Sequence, residues 1–125
     1  MANSTPNILL IQADQLKPQI LRGYGGMADT PHLDRLCDLG VLFENAYFNF
    51  PLCAPSRFSM LAGMLPSRID AFDNAAEYPA QIPTVAHYLR LAGYHTCLAG
   101  KQHFVGPDVL HGFHERLVPE IYPTD

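Results

Sequence analysis

The chain alternates short apolar runs with helix signatures that begin at a proline, and this alternation limits the possible folds. The first run, NILLIQAD (residues 7–14), is continuously apolar and ends in a carboxylate, which is typical of a strand buried on both faces of a parallel sheet. TPHLDRLCDLG (30–40) predicts a helix, with Thr30 as N-cap and Pro31 in the first turn. The next run, VLFENAYF (41–48), predicts a second strand.

The second half of the chain repeats this order of elements. Residues 82–103, IPTVAHYLRLAGYHTCLAGKQH, predict a helix started at Pro83 and then a strand, YHTCLAG (94–100). The stretch 70–81 is polar and irregular, and the tail after Gly106 has no clear period. We therefore interpret both mostly as loop.

Strands that alternate with helices predict an α/β fold, in which a mostly parallel sheet is flanked by helices. In such sheets, ligands bind beyond the carboxyl ends of the strands. Asp14, Cys53 and Lys101 all reach, or can reach, that edge from separate segments. The edge is therefore where we expect a functional site.

Composition excludes several classes of function. The 125 residues carry a net charge of −4, which argues against nucleic acid or an anionic membrane as the main partner. No apolar stretch reaches membrane-spanning length, and the polar start MANSTPN does not resemble a secretory signal. Three scattered cysteines are too few for a disulfide framework or a zinc site of paired cysteines. We expect a cytoplasmic protein with reduced thiols.

The stretch NFPLCAPSR (49–57) places a cysteine at the start of a predicted helix. Pro55 suits a first helical turn, so Cys53 falls at the N-terminus of a helix that Gly63 ends. Free backbone amides and the helix dipole favour anions there, and the Arg57 guanidinium suits a tetrahedral oxyanion. The stretch indicates an anion site that contains a nucleophile, and the alternative is a helix start with an incidental cysteine.

Longer motifs around this site resemble those of a known protein family. CAPSR matches the cysteine-x-proline-x-arginine signature of the type I sulfatases, and FSMLAG continues it. PNILLIQAD, TPHLDRLCDLGVLFENAY and GYHTCLAGKQH agree with the family in order and spacing. The chain therefore resembles the type I sulfatases, and residues 1–125 would be the amino-terminal part of their catalytic domain. The implied fold is alkaline-phosphatase-like: a mostly parallel sheet flanked by helices, amino-terminal portion only.

The resemblance implies a role for each residue around the cysteine. A formylglycine-generating enzyme would oxidise Cys53 to formylglycine, whose hydrate carries two hydroxyls on one carbon. One hydroxyl attacks the sulfur of a sulfate ester, and the second, by losing its proton, lets sulfate leave. Arg57 would steady the hydrate, while Lys101 and His103 would hold sulfate oxygens.

A metal site is implied as well. Asp14, Gln15 and the modified Cys53 would bind a divalent cation, usually Ca²⁺, with Mn²⁺ or Mg²⁺ as alternatives. Many sulfatases have a second aspartate where this chain has Gln15. An amide oxygen can also coordinate calcium, but the site then has one negative charge fewer, which leaves the identity of the metal open.

Within the family, NFPLCAPSRFSMLAG, DNAAEYPA and GKQHFVGPDVLHGF are most similar to the choline sulfatases, which implies choline-O-sulfate as substrate. A quaternary ammonium binds best among aromatic faces. Asn74 is the predicted substrate-side polar contact. The aromatic candidates, most of which we expect in the core, are Phe50, Phe72, Tyr78 and Phe104.

The resemblance covers only the amino-terminal part of a sulfatase, so it leaves alternatives open. The first hypothesis is a choline sulfatase whose remaining residues, including further metal ligands and the rest of the choline pocket, are not in this chain. The full-length protein would be a homo-oligomer. A second hypothesis is an arylsulfatase or a phosphonate or phosphodiester hydrolase of the same superfamily. A third is a non-catalytic truncated fragment that binds an anion or a partner chain.

Overall fold

The structure is a computed structural model that describes residues 5–120. The chain divides into two compact units, Met1–Ala46 and Tyr47–Asp125. The first, called here the amino-terminal unit, contains two 3-10 turns, Pro18–Ile20 and Arg22–Tyr24, followed by helix α1, Pro31–Leu39. Helix α1 begins at Pro31 and is followed by Gly40, which confirms the helix predicted over 30–40.

The strands predicted over residues 7–14 and 41–48 are not formed, so both predictions are wrong. Residues 7–14 and 41–48 have no strand conformation, and the side chains of the first run, Ile8 to Ile11, are 62–83% exposed. A buried strand needs neighbouring strands on both edges and covering layers on both faces. Within residues 5–46, the single ladder contact is an isolated bridge between Leu21 and Ala28, so the apolar run has no strand to pair with.

The second unit, called here the cysteine unit, holds the remaining elements. They are α2 (Cys53–Ala62), α3 (Pro66–Ile69), α4 (Val85–Leu91), β1 (Cys97–Leu98) and β2 (Glu115–Arg116). The two strands pair in parallel, with Cys97 opposite Glu115 and Leu98 opposite Arg116. The strand predicted over 94–100 is confirmed at its centre. The tail after Gly106 is mostly loop within the described residues, as predicted, and the two-residue strand β2 is the exception, because so short a strand leaves no periodic pattern in the sequence.

Helix α2 begins and ends where its sequence predicts. Its first residue is Cys53, and Gly63 follows it with φ 65°, a left-handed conformation that glycine adopts without steric cost. One face of α2 carries Ala54, Phe58 and Leu61, all at most 3% exposed. This spacing places the three side chains on one stripe of the helix.

The core of the cysteine unit forms around that stripe. Phe58 packs edge-to-face on Tyr78, with ring centroids 5.1 Å apart, and stacks near Phe104 at 6.2 Å. Edge-to-face and offset arrangements are the favourable ones for aromatic rings. Ile69, Ala71 and Leu98 complete the buried cluster. The core therefore joins α2 to the segment that follows β1.

Helix α4 belongs to the same unit, and the residue at its N-cap, Thr84, is hydrogen-bonded through both its side chain and its backbone. The Thr84 hydroxyl donates to the His111 carbonyl at 2.7 Å, and the Thr84 backbone N–H donates to His87 Nδ1 at 3.0 Å. His87 thus takes the role that Glu or Gln has in a capping box. The helix predicted from Pro83 is confirmed and begins two residues later, at Val85.

Candidate active site around Cys53

Cys53 is the first residue of α2 and its side chain is half-buried. The preceding Leu52 is extended, with φ −123° and ψ 153°, and its carbonyl accepts the first helical hydrogen bond, from Ser56 N at 3.1 Å. The Ala54 N–H donates instead to Asn74 Oδ1, at 3.1 Å. A side chain from the 70–81 loop therefore caps the helix end on which the cysteine lies.

Lys101 approaches the cysteine from the segment after β1. Its Nζ lies 3.5 Å from Cys53 Sγ. The buried Arg57 guanidinium donates from Nη1 to the Lys101 carbonyl at 2.6 Å, so one turn of α2 beyond the cysteine fixes the backbone that carries the lysine. The positive charge of Lys101 is thus held beside the position of the nucleophile.

His103 has an unusual backbone conformation and a constrained imidazole. Its φ is 64°, in the left-handed region that few residues other than glycine adopt. Nε2 lies 3.0 Å from the Asn74 carbonyl, and because a carbonyl only accepts, Nε2 carries the proton. Burial lowers the pKa of His103, and the positive charges of Lys101 and Arg57 add to this, while the hydrogen bond to the Asn74 carbonyl and the Glu120 carboxylate oppose the shift without reversing it. The imidazole is therefore neutral at pH 7.

Asn74 ties the two halves of this cluster together. Its side-chain oxygen bonds to Ala54 N next to the cysteine, and its backbone oxygen bonds to His103. The structure thus brings together five residues that the sequence selected for catalysis or substrate binding: Cys53, Arg57, Asn74, Lys101 and His103. A contact between Asn74 and substrate stays a prediction, for which the side-chain amide nitrogen offers two N–H donors.

The aromatic candidates for a choline cage separate by burial. Tyr78 and Phe104 are at most 1% exposed and belong to the core around Phe58, so they present no face to a ligand. Phe50 is half-buried, and Phe72 is 54% exposed. Phe50 and Phe72 are therefore the two of the four whose rings a quaternary ammonium can still reach.

Sequence reasoning missed a buried ion pair behind this cluster. Arg116 Nη2 donates to Glu120 Oε2 at 2.6 Å, and both side chains are at most 7% exposed. Glu120 in turn accepts from the backbone on both sides of His103. The only signal in the sequence was the spacing of an arginine and a glutamate four residues apart in a stretch without periodicity, which points to no contact outside a helix.

The predicted metal ligands Asp14 and Gln15 lie in the amino-terminal unit. Both are exposed and occupy a turn in which Gln15 has φ 55°. Their oxygens are the donor type that Ca²⁺ and Mg²⁺ prefer, but calcium takes about six to eight oxygens. Within residues 5–120, no group of three or more histidine, cysteine, aspartate and glutamate side chains could hold a metal ion. These residues fit part of a cation site and do not complete one, so no chemical step is derived through a metal.

Comparison with known proteins places this cluster in a family. A family model described as Sulfatase matches residues 6–108, which include every predicted site residue. The chain belongs to the sulfatase family. Members of this family generally use a formylglycine and a metal ion. None of the helices within residues 5–120 has the length and apolar character needed to cross a bilayer.

Relatives and a solved structure agree with the family. This sulfatase chain is 52% identical over its whole length to a choline-sulfatase of Rhizobium meliloti (strain 1021), of which it covers 25%. It is 40% identical over 93% of its length to arylsulfatase A of Bos taurus, again covering 25%. The structure of BT4656 in complex with its substrate D-glucosamine-2-N,6-O-disulfate matches 78% of the chain at 32% identity and a TM-score of 0.73, with 20% of that protein covered.

Two conclusions follow from these matches. The structural match is to a sulfatase, so the predicted alkaline-phosphatase-like α/β fold class is confirmed, although two of the predicted strands are not formed. The sulfatase chain spans about a quarter of the length of the curated relatives it matches.

Proposed function

We propose that this chain forms the nucleophile side of the active site of a choline sulfatase, a sulfuric ester hydrolase that cleaves choline-O-sulfate to choline and sulfate. The observation that carries the proposal is the position of Cys53 at the start of α2, with Lys101 Nζ 3.5 Å from its sulfur. The 52% identity to a choline-sulfatase along the whole chain supports this choice of substrate.

The residues around Cys53 suit the binding of a sulfate ester. A formylglycine hydrate at position 53 would supply one hydroxyl to attack sulfur and a second whose deprotonation releases sulfate. The Lys101 ammonium and the dipole of α2 would stabilise negative charge on sulfate oxygens beside that position. The free backbone amides predicted at this helix end are not available for it, because the Ala54 and Ser56 N–H groups already donate within the protein and Pro55 has none. Arg57 holds Lys101 in place through its carbonyl.

His103 acts in its neutral form. Because Nε2 donates to the Asn74 carbonyl, the protonated nitrogen is directed to the backbone of the 70–81 loop. Nδ1 is then the nitrogen that accepts hydrogen bonds in the neutral ring. We therefore propose that His103 accepts a hydrogen bond from a hydroxyl of the formylglycine hydrate and contributes no full positive charge.

We also propose that a divalent cation binds at the active site, although the described residues do not define its coordination. Asp14 and Gln15 stay the predicted ligands, together with the modified Cys53 and further groups outside residues 5–120. Ca²⁺ is the expected ion, with Mn²⁺ or Mg²⁺ as alternatives. When bound, it would lower the pKa of the attacking hydroxyl and bind sulfate oxygens.

The first experiment asks whether Cys53 is converted. The chain is made in cells that carry a formylglycine-generating enzyme, and the mass of the tryptic peptide Leu36–Arg57 is measured. We expect a mass that matches formylglycine. An intact thiol would contradict the proposal and favour the non-catalytic fragment.

The second experiment measures turnover by the complete gene product. We expect choline-O-sulfate to be hydrolysed at least about tenfold faster than an aryl sulfate or a phosphonate monoester. Cys53→Ala should reduce turnover by about 10³-fold or more, because the nucleophile is lost. Cys97→Ala, at an exposed cysteine of the same unit, is the matched control and should leave turnover unchanged.

An arylsulfatase is the second candidate, and the 40% identity to bovine arylsulfatase A supports it. Equal or faster turnover of the aryl sulfate would favour this candidate over choline-O-sulfate. Formation of homo-oligomers and a cytoplasmic location stay predictions for the complete protein.

A further inference from the structure

The backbone around His103 encloses a carboxylate from the tail of the chain. Glu120 Oε2 accepts from the Gln102 N–H at 3.1 Å and from the Phe104 N–H at 3.3 Å. These two amides flank His103, whose left-handed φ makes neighbouring N–H groups converge on one side of the chain. Such a concavity of backbone amides binds anions, and here the Glu120 side chain fills it.

Arg116 fixes this carboxylate from β2. Its guanidinium bonds to Glu120 at 2.6 Å and also donates to the carbonyls of Gly100 at 3.0 Å, Val109 at 3.3 Å and Val118 at 2.9 Å. The planar fork of an arginine can hold several acceptors in one fixed arrangement, which the ammonium of a lysine cannot do. Both charges of the pair are buried, and each has hydrogen-bonding partners in addition to the other.

Residues 100–104 are thus held along their length by side chains from other segments. Arg116 binds the Gly100 carbonyl, Arg57 binds the Lys101 carbonyl, and Glu120 binds the amides on both sides of His103. The same five residues present Lys101 Nζ to the Cys53 sulfur and His103 Nε2 to the Asn74 carbonyl. A side chain with several rotatable bonds keeps such a contact only when its backbone is fixed.

We infer that Glu120 and Arg116 are positioning residues that hold Lys101 and His103 against the Cys53 site by fixing the backbone of residues 100–104. The catalytic meaning of this role rests on the proposed function. The positioning itself does not, because it can be measured on the cysteine form of the chain.

The test uses the alkylation rate of Cys53 by iodoacetamide, in chain made without the converting enzyme and read by peptide mass. Lys101→Met removes the ammonium, and we expect this variant to be alkylated at Cys53 about tenfold more slowly. Glu120→Gln keeps the shape of the side chain and removes its charge. We expect it to slow Cys53 alkylation at least threefold, whereas the double variant should be no slower than Lys101→Met alone.

Two comparisons separate positioning from a general loss of structure. Glu115→Gln, an exposed glutamate on the same strand as Arg116, is the matched control and should change the rate less than twofold. Alkylation of the exposed Cys97 should be unchanged in every variant that remains folded. If Glu120→Gln does not fold, Arg116→Lys keeps the charge beside Glu120 and should still slow Cys53 alkylation.

Turnover then tests the catalytic meaning. In the complete gene product we expect Glu120→Gln to lower kcat about tenfold with KM changed less than threefold, and Glu120→Asp to restore part of the loss. Unchanged Cys53 alkylation in folded Glu120→Gln would overturn the inference, whatever the turnover. If the complete gene product without substitutions releases no sulfate, that result would instead contradict the proposed function and leave the alkylation result valid.

Discussion

The two units of this chain differ in what they do with their apolar residues. Between residues 5 and 46, no side chain is fully buried, although Ile8 to Ile11 form the longest apolar run of that part. The cysteine unit buries Phe58, Tyr78 and Phe104 almost completely. An apolar pattern therefore predicts a need for burial, while the surface that buries it comes from other segments.

The predicted site residues divide along the same line. Cys53, Arg57, Asn74, Lys101 and His103 lie in the unit that has a core, and hydrogen bonds connect them. Asp14 and Gln15 lie exposed within residues 5–46, where no side chain is fully buried. The nucleophile side of the site is therefore arranged by contacts within the cysteine unit. Three substitution experiments and one titration test how far that unit depends on its buried side chains.

The largest expected effect is on the core. Phe58→Ala removes a fully buried ring between Tyr78 and Phe104 and should lower the free energy of unfolding by about 3–5 kcal/mol. Phe43→Ala, at a ring that is 68% exposed in the amino-terminal unit, should cost less than about 0.5 kcal/mol. Urea denaturation of both variants measures the difference. Equal losses would show that the amino-terminal unit has a core of its own in solution.

A smaller effect is expected at the two threonines that precede helices. Thr84→Ala removes a fully buried hydroxyl that bonds to the His111 carbonyl and should cost about 1–2 kcal/mol. The Thr30 hydroxyl donates to the Asp34 side chain at 3.1 Å and makes no cap bond to the helix backbone, so Thr30→Ala should cost less than about 0.5 kcal/mol. A cost at Thr30 as large as that at Thr84 would contradict the contrast between the units.

Acid should weaken the cysteine unit gradually. Burial lowers the pKa of His111, and nearby His87 lowers it further, while Asp108 and Glu77 oppose the shift. The pKa of His103 is also lowered, chiefly by burial. Unfolded histidine takes up protons near pH 6.5, before the folded protein does, so stability should fall as the pH drops below that value. His111→Gln should flatten the decline of the urea midpoint between pH 8 and pH 5, and an unchanged slope would exclude His111 as a cause.

Alkali should act through one tyrosine. Burial raises the pKa of Tyr78 to about 12, so this phenol stays neutral after an unfolded tyrosine ionises near pH 10. Its contribution to stability is complete below pH 10 and is lost as the pH rises towards 12. Absorbance at alkaline pH should show one late tyrosine that Tyr78→Phe removes. Titration of all tyrosines in a single early step would contradict this assignment.

The parts of the fold that sequence predicted are those with local causes. Helix α1 follows from Pro31 and Gly40, and α2 follows from Pro55 and Gly63, because proline and glycine limit the backbone at their own positions. Thr30 precedes α1, but its predicted capping bond to the helix backbone is not formed. The strands over 7–14 and 41–48 were wrong, since a strand is stabilised by partners that no local pattern contains. The Arg116–Glu120 pair escaped prediction for the same reason.

By itself, the sequence determined that Cys53 starts a helix, that Arg57 follows one turn later and that the chain resembles the sulfatase family. Only the tertiary structure decided that Lys101, 48 residues away, meets the Cys53 sulfur, and that Asn74 joins the end of α2 to His103. Closing a loop of that length costs conformational entropy, which burial of the Phe58, Tyr78 and Phe104 rings offsets. The contacts that organise the site therefore depend on the core beneath it, and motif spacing alone cannot specify them.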